Sequence, residues 1–170
     1  ETLNRAAVFH PTGTGKSCIA WKVVEAHPQT TFFWLVAGAQ RLALRQAELT
    51  RYNGGTLPGN VRFCDCEKLA AATPEQWVRL GEQKPGCVVL DCYHELSAVC
   101  WAQSVQKLLR MCPQAKVLGL GVPNGAPVCA AAQELFADCI VSHMTVAEAM
   151  AAGTMPVPSA YAALLWPQEE

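Results

Sequence analysis

The sequence is poor in charge. Only 16% of its 170 residues are Asp, Glu, Lys or Arg, against 51% hydrophobic. With a mean hydropathy of +0.14, this composition excludes a disordered chain, which stays unfolded for want of apolar surface to bury. Neither sign is in excess. Thirteen Lys and Arg face fourteen Asp and Glu, a net charge of -1, so no overall positive field draws the chain to nucleic acid or an anionic membrane, and any polyanion site must be local. No apolar run approaches the ~20 residues that a bilayer span needs; the longest uncharged apolar stretch runs from Phe32 to Ala39. No signal-peptide pattern is present, so the expectation is a soluble, cytoplasmic protein with no membrane partner. Low-complexity tracts, internal repeats and linkers are also missing, and the chain reads as one domain over residues 1–170, within the usual ~100 to 200 residues. Its start without Met and its end at Trp166-Pro-Gln-Glu-Glu170 point to a piece of something longer.

Cysteine, by contrast, is plentiful. There are nine, at positions 18, 64, 66, 87, 92, 100, 112, 129 and 139. The number is odd and most lie in apolar runs, as free thiols acting as small hydrophobes in a reducing compartment would. Cys64 and Cys66 are the one close pair, and no second Cys or His pair stands at zinc-ribbon spacing, so a structural metal is not expected.

Apolar runs of strand length alternate with longer segments of helical period. The expected strands are Ala6 to Phe9, Thr31 to Val36, Val61 to Cys64, Cys87 to Leu90, Lys116 to Leu120, Asp138 to Ser142 and Ala160 to Leu165. Most are apolar throughout, the pattern of strands covered on both faces. Helices are expected at Lys16 to Ala26, Ala39 to Arg51, Pro74 to Leu80, Ala98 to Met111, Cys129 to Phe136 and Thr145 to Ala152. Trp101, Val105, Leu108, Leu109 and Cys112 carry the i, i+4, i+7 stripe. Thr145 and Glu148 have capping-box spacing, with Gly153 as the terminating glycine. Strand alternating with helix implies an α/β fold with a mainly parallel sheet and helices on both faces.

The most informative stretch is Ala6-Ala-Val-Phe-His-Pro-Thr-Gly-Thr-Gly-Lys-Ser17. An apolar strand runs into a glycine-containing loop and then into an amphipathic helix. Gly13 and Gly15 let successive N–H groups face inward, and the helix adds its positive end to the same anion site. Pro11, Thr12, Gly13, Thr14, Gly15, Lys16 and Ser17 are thus the expected phosphate-binding residues, with Lys16 neutralising the β and γ phosphates and Ser17 offering its hydroxyl to Mg2+. The strict pattern has Gly where this chain has His10. Val88-Val-Leu-Asp91 supplies the complementary part, an apolar strand ending in Asp at the sheet edge where ligands collect, so Asp91 is the second expected Mg2+ residue.

Together these motifs resemble the first RecA-like domain of a superfamily 2 DEAD/DEAH-box helicase, of the bacterial sort related to restriction-enzyme helicase subunits. The resemblance rests on His10-Pro-Thr-Gly-Thr-Gly-Lys-Ser17 as motif I, Val88-Val-Leu-Asp-Cys-Tyr-His94 as motif II and Ala115-Lys-Val-Leu-Gly-Leu120 before motif III. It extends through Trp101 to Leu109, Glu134 to Asp138 and Met144 to Ala149. It implies a P-loop NTPase domain that binds ATP and Mg2+, acts on DNA or RNA, and is closed by a second RecA-like domain, which this sequence does not contain.

The departures bear on turnover. Cys92 occupies the place of the family's catalytic Glu, which orients or deprotonates the attacking water; loss of a positioned base typically costs a factor of roughly 100 to 10,000. Glu95 is a weak substitute, past the expected strand end. Gly121-Val-Pro123 replaces the hydroxyl-bearing motif III, and Val36-Ala-Gly-Ala39 lacks the small polar residues that would meet a nucleic-acid backbone. Arg41 and Arg45, at i, i+4, are weak candidates for phosphate contacts on a nucleic acid, against a solvated helix face. Trp34 and Trp101 read as core. The expected function is an ATP/Mg-binding helicase-type domain with impaired hydrolysis. A degenerate relative serving as a binding module is the alternative, and an unrelated P-loop nucleotide enzyme a third.

Overall fold

A strand buried on both faces is apolar along its whole length, and the centre of this protein is built from such strands. The computed structural model describes residues 4–123 and 134–156. The strands β1 (Arg5–Phe9), β2 (Phe32–Val36), β3 (Val61–Asp65), β4 (Cys87–Asp91), β5 (Lys116–Gly121) and β6 (Ile140–His143) form one sheet in the order β3-β2-β4-β5-β1-β6. Every pairing in it is parallel. All residues of β2 and β4, at the middle of the sheet, are buried.

The helices are α1 (Lys16–Ala26), α2 (Ala39–Tyr52), α3 (Cys66–Ala70), α4 (Pro74–Glu82), α5 (residues 98–111) and α6 (Val146–Ala151). Successive strand residues point to opposite faces, and the core divides accordingly. Phe32, Trp34, Val36 and Val89 pack with Ala20, Trp21 and Val24 of α1 and Leu49 of α2. Phe33, Leu35, Val88 and Leu90 pack with Trp77 of α4 and Trp101, Val105 and Leu108 of α5. The α/β architecture with helices on both faces is therefore the one the periodicities imply, and Trp34 and Trp101 are core residues, 0% and 2% exposed.

The details differ in places. The third, fourth and fifth strands each run one residue further than expected, so that Asp91 closes β4 rather than following it. The last described strand starts at Ile140, not Asp138, because a turn intervenes in which Cys139 N–H bonds the Phe136 carbonyl at 3.1 Å. Helix α3 was not anticipated. Five residues are too short for a period, and its signal is the Asp65 side chain, which accepts from Glu67 N–H at 3.0 Å as an N-cap. The stripe of α5 is not carried on a regular helix either: Trp101–Gln106 forms a π turn between two α segments, with the Ser104 hydroxyl bonded to the Cys100 carbonyl. Thr145 and Glu148 form the expected capping box of α6, and Gly153 follows with φ 67°. Of the expected helix from Cys129 to Phe136, only residues 134–136 are described, and they are helical; Cys129 and the expected strand from Ala160 to Leu165 lie outside the described residues. Among the described residues, no helix is long and apolar enough to cross a membrane.

Two features of the strand order position the site. β5 lies between β1 and β4, which separates the loop after β1 from the end of β4 by two strand spacings, roughly 10 Å. β2 is the other neighbour of β4, so the helix that follows β2 passes over the end of β4.

Candidate functional site

The loop after β1 is anchored at its first residue. His10 N–H bonds the Gly121 carbonyl of β5 at 3.2 Å, and its Nε2 lies 2.8 Å from the Ser142 hydroxyl of β6. The loop then turns on two left-handed glycines, Gly13 at φ 86° and Gly15 at φ 87°, the second of which immediately precedes α1. An L side chain is strained at such angles. Open space beside Gly13 leaves the backbone approachable. Thr14 holds the turn with its hydroxyl donating to the Pro11 carbonyl at 2.7 Å.

Lys16 closes the loop on itself. Its Nζ donates to the carbonyls of His10 at 2.8 Å and Pro11 at 3.0 Å, and Lys16 and Ser17 are both buried. Burial pulls the Lys16 pKa below its ordinary value and the nearby Arg45 charge adds to this, while Cys92 and Asp91 work against it. An anion entering the loop would meet a partly desolvated ammonium and the N-terminus of α1, two elements that favour negative charge.

Asp91 stands at the end of β4, 2% exposed. Its Oδ2 accepts from Trp34 Nε1 at 3.2 Å and from Arg45 Nε. Its Oδ1 is buried and, among the described residues, receives no hydrogen bond from a nitrogen or oxygen donor. Arg45 in turn reaches Glu48 through a second guanidinium nitrogen at 2.6 Å. Burial opposes the charge on Arg45, but Asp91 and Glu48 more than offset it and raise its pKa. Cys92 follows with φ 52°, its thiol raised in pKa by burial and by the adjacent Asp91 carboxylate.

A pocket of about 310 Å³ joins the two sides. Thr12, Gly13, Gly15, Lys16 and Ser17 form one wall, and Arg45, Glu48, Tyr52 and Cys92 the other. The residues expected from the sequence thus come together: the loop, Lys16, Ser17 and the Cys92 position share one cavity, with Asp91 in contact with its Arg45 wall. The two arginines separate. Arg45 is not on a solvated face but turned inward, its side chain 24% exposed, whereas Arg41 is exposed on α2 with its charge felt by His94 and Cys92. Glu95 ends a single 3-10 turn, Tyr93–Glu95, beyond β4, and its side chain lies outside the described residues. Glu48 and Tyr52 were missed. The signal for them was the spacing of 45, 48 and 52, which share one helical face. At the same edge of the sheet, Asp65, which ends β3, also accepts from Gly38 N–H through its Oδ1 at 3.3 Å. Cys64 and Cys66 are free thiols, raised by burial to about 11 and about 12.

No family model matches the chain, and no curated protein matches it. Among solved structures, it is similar to a mutant large terminase ATPase domain of Thermus phage P74-26, with 14% identity over 73% of this chain and a TM-score of 0.48. The match spans 62% of that domain.

Proposed function

We propose that this chain is a nucleoside-triphosphate-binding domain of the DEAD/DEAH-box helicase type, with impaired hydrolysis. The observation that carries the reading is that the Lys16 loop and Cys92, just after β4, line one pocket, with the buried Asp91 bonded to Arg45 of the same lining. In operation, Lys16 exchanges its two carbonyl partners for phosphate oxygens, and the N–H groups around Gly13 and Gly15 receive the rest of the charge. ATP is the nucleotide that the helicase resemblance implies.

The residues fit a Mg2+ ion. Ser17 brings a hydroxyl and Asp91 a buried carboxylate, the hard oxygen donors this cation takes alongside substrate phosphates. Bound there, Mg2+ would neutralise phosphate charge. Among the described residues no cluster of three His, Cys, Asp or Glu could hold a metal; an ion held by Ser17 and Asp91 would take its other ligands from substrate phosphates and water.

Turnover is poorly supported. Cys92 offers a thiol with a raised pKa where a base is needed, and a protonated thiol neither orients nor deprotonates water well. The helicase resemblance also implies a DNA or RNA strand and a second RecA-like domain as partners. The reading as a binding module gains from the Arg45–Asp91 pair, which occupies the acidic group that turnover would use. Calorimetry with Mg-ATP and phosphate-release assays, on the native chain and on Cys92→Glu, test the proposal. Micromolar to millimolar binding with background turnover is expected of the native chain; robust hydrolysis would refute the impaired-hydrolysis reading.

A further inference from the structure

The Arg45–Asp91 pair is not a surface ion pair. Asp91 is 2% exposed, its Oδ2 is held by both Arg45 and Trp34, and Arg45 also forms part of the pocket wall opposite Lys16. A carboxylate meant for a divalent cation gains most from that cation when its own charge is otherwise unmatched. Here a guanidinium already matches it, and the same guanidinium faces any ion arriving at Oδ1. Glu48 does not free it, because Glu48 binds a different nitrogen of Arg45 and leaves the Nε contact to Asp91 in place.

The geometry points to Arg45 as a built-in counter-cation that competes with Mg2+ at Asp91, so that polyphosphate binding in this pocket depends only weakly on divalent metal. This rests on the pocket being a phosphate site, as proposed above. Arg45 is then a specificity-determining residue: it adds a fixed positive charge to the phosphate wall, and it weakens the contribution that the metal makes elsewhere. Two like charges a few ångströms apart at the dielectric of a protein surface change a binding constant by at least about tenfold.

The test compares ATP and inorganic triphosphate binding by calorimetry in excess Mg2+ and in excess EDTA, for the native chain, Arg45→Gln and Arg45→Lys. Removing Mg2+ should weaken binding to the native chain and to Arg45→Lys by less than about threefold, and to Arg45→Gln by more than about tenfold. A loss above tenfold in the native chain, or an Arg45→Gln ratio equal to the native one, overturns the inference. Arg45→Lys keeps a charge at the position should the glutamine variant fold poorly. Absence of any polyphosphate binding would instead defeat the phosphate-site reading, and a ligand-free measurement then decides about Arg45. Mn2+ is added to 15N-labelled protein, and the indole N–H signal of Trp34, assigned with Trp34→Phe, is followed. That signal should stay sharp in the native chain and broaden in Arg45→Gln; broadening in the native chain, or none in either, contradicts the competition.

Discussion

Replacing Arg45 by methionine removes a charged donor to Asp91 and leaves a carboxylate that is 2% exposed, still bonded to the Trp34 indole at 3.2 Å. Breaking a buried pair from one side costs about 3 to 5 kcal/mol, because the remaining charge is uncompensated. The reverse change is cheaper. In Asp91→Asn the guanidinium keeps Glu48 at 2.6 Å and some solvent, so the loss should be nearer about 1 to 2 kcal/mol, the range of one buried hydrogen bond. The double variant has neither stranded charge, and the two effects should fall short of their sum by about 1 to 3 kcal/mol. The assay is urea unfolding of all four proteins at neutral pH and constant m, where each kcal/mol moves the midpoint by roughly 0.3 to 1 M. Additivity within about 0.5 kcal/mol would mean that the residues do not interact, and the reasoning about Arg45 would fall with it.

Gly119→Ala would place a Cβ 2.6 to 3.0 Å from three atoms of the buried Phe136 ring. A loss of about 1 to 3 kcal/mol in thermal or urea unfolding is expected, much of it recovered by Phe136→Leu; an alanine variant as stable as the native chain would contradict that packing. Thr73→Ala removes the capping box that Thr73 and Gln76 close at the start of α4, and should cost about 0.5 to 2 kcal/mol by the same assay. His10 and His94 both have pKa values below the ordinary imidazole value of 6.5, first through burial and then through Lys16. The folded chain therefore binds fewer protons than the unfolded one just below pH 6.5, so this contribution is intact above 6.5 and is lost as pH falls through the folded values. Urea midpoints should drop between pH 7.5 and 5.5, less so in His10→Gln; a flat or rising profile would count against it.

Much of this was legible in the sequence. Strands such as Phe32–Val36 and Cys87–Asp91 announce themselves because burial on both faces leaves no polar residue before the last one. The turn after β1 was legible because its geometry is local: Gly13, Gly15, Lys16 and Ser17 lie within one short stretch of chain. What could not be read depends on strand order. That β5 separates β1 from β4, and that β2 adjoins β4, is set by pairing between distant segments. Arg45 looked like a solvated residue because its i, i+4 spacing with Arg41 says nothing of what lies beneath α2. Only the neighbouring of β2 and β4 brings Asp91 under it. The π turn at Trp101–Gln106 was hidden for a similar reason, since an apolar stripe is compatible with a locally widened helix.

The central claim is that the Lys16 loop binds the phosphates of a nucleotide. Calorimetric titration of the native chain and of Lys16→Ala with ATP, with folding of the variant verified by circular dichroism, tests it most directly. Saturable binding by the native chain that weakens by at least about tenfold in Lys16→Ala is the predicted result, a charge-assisted phosphate contact being worth more than 1.4 kcal/mol by the usual ~1.5 to 3 kcal/mol for hydrogen bonds to charged groups. Equal affinity in the two proteins, or no binding by the native chain, would contradict the account.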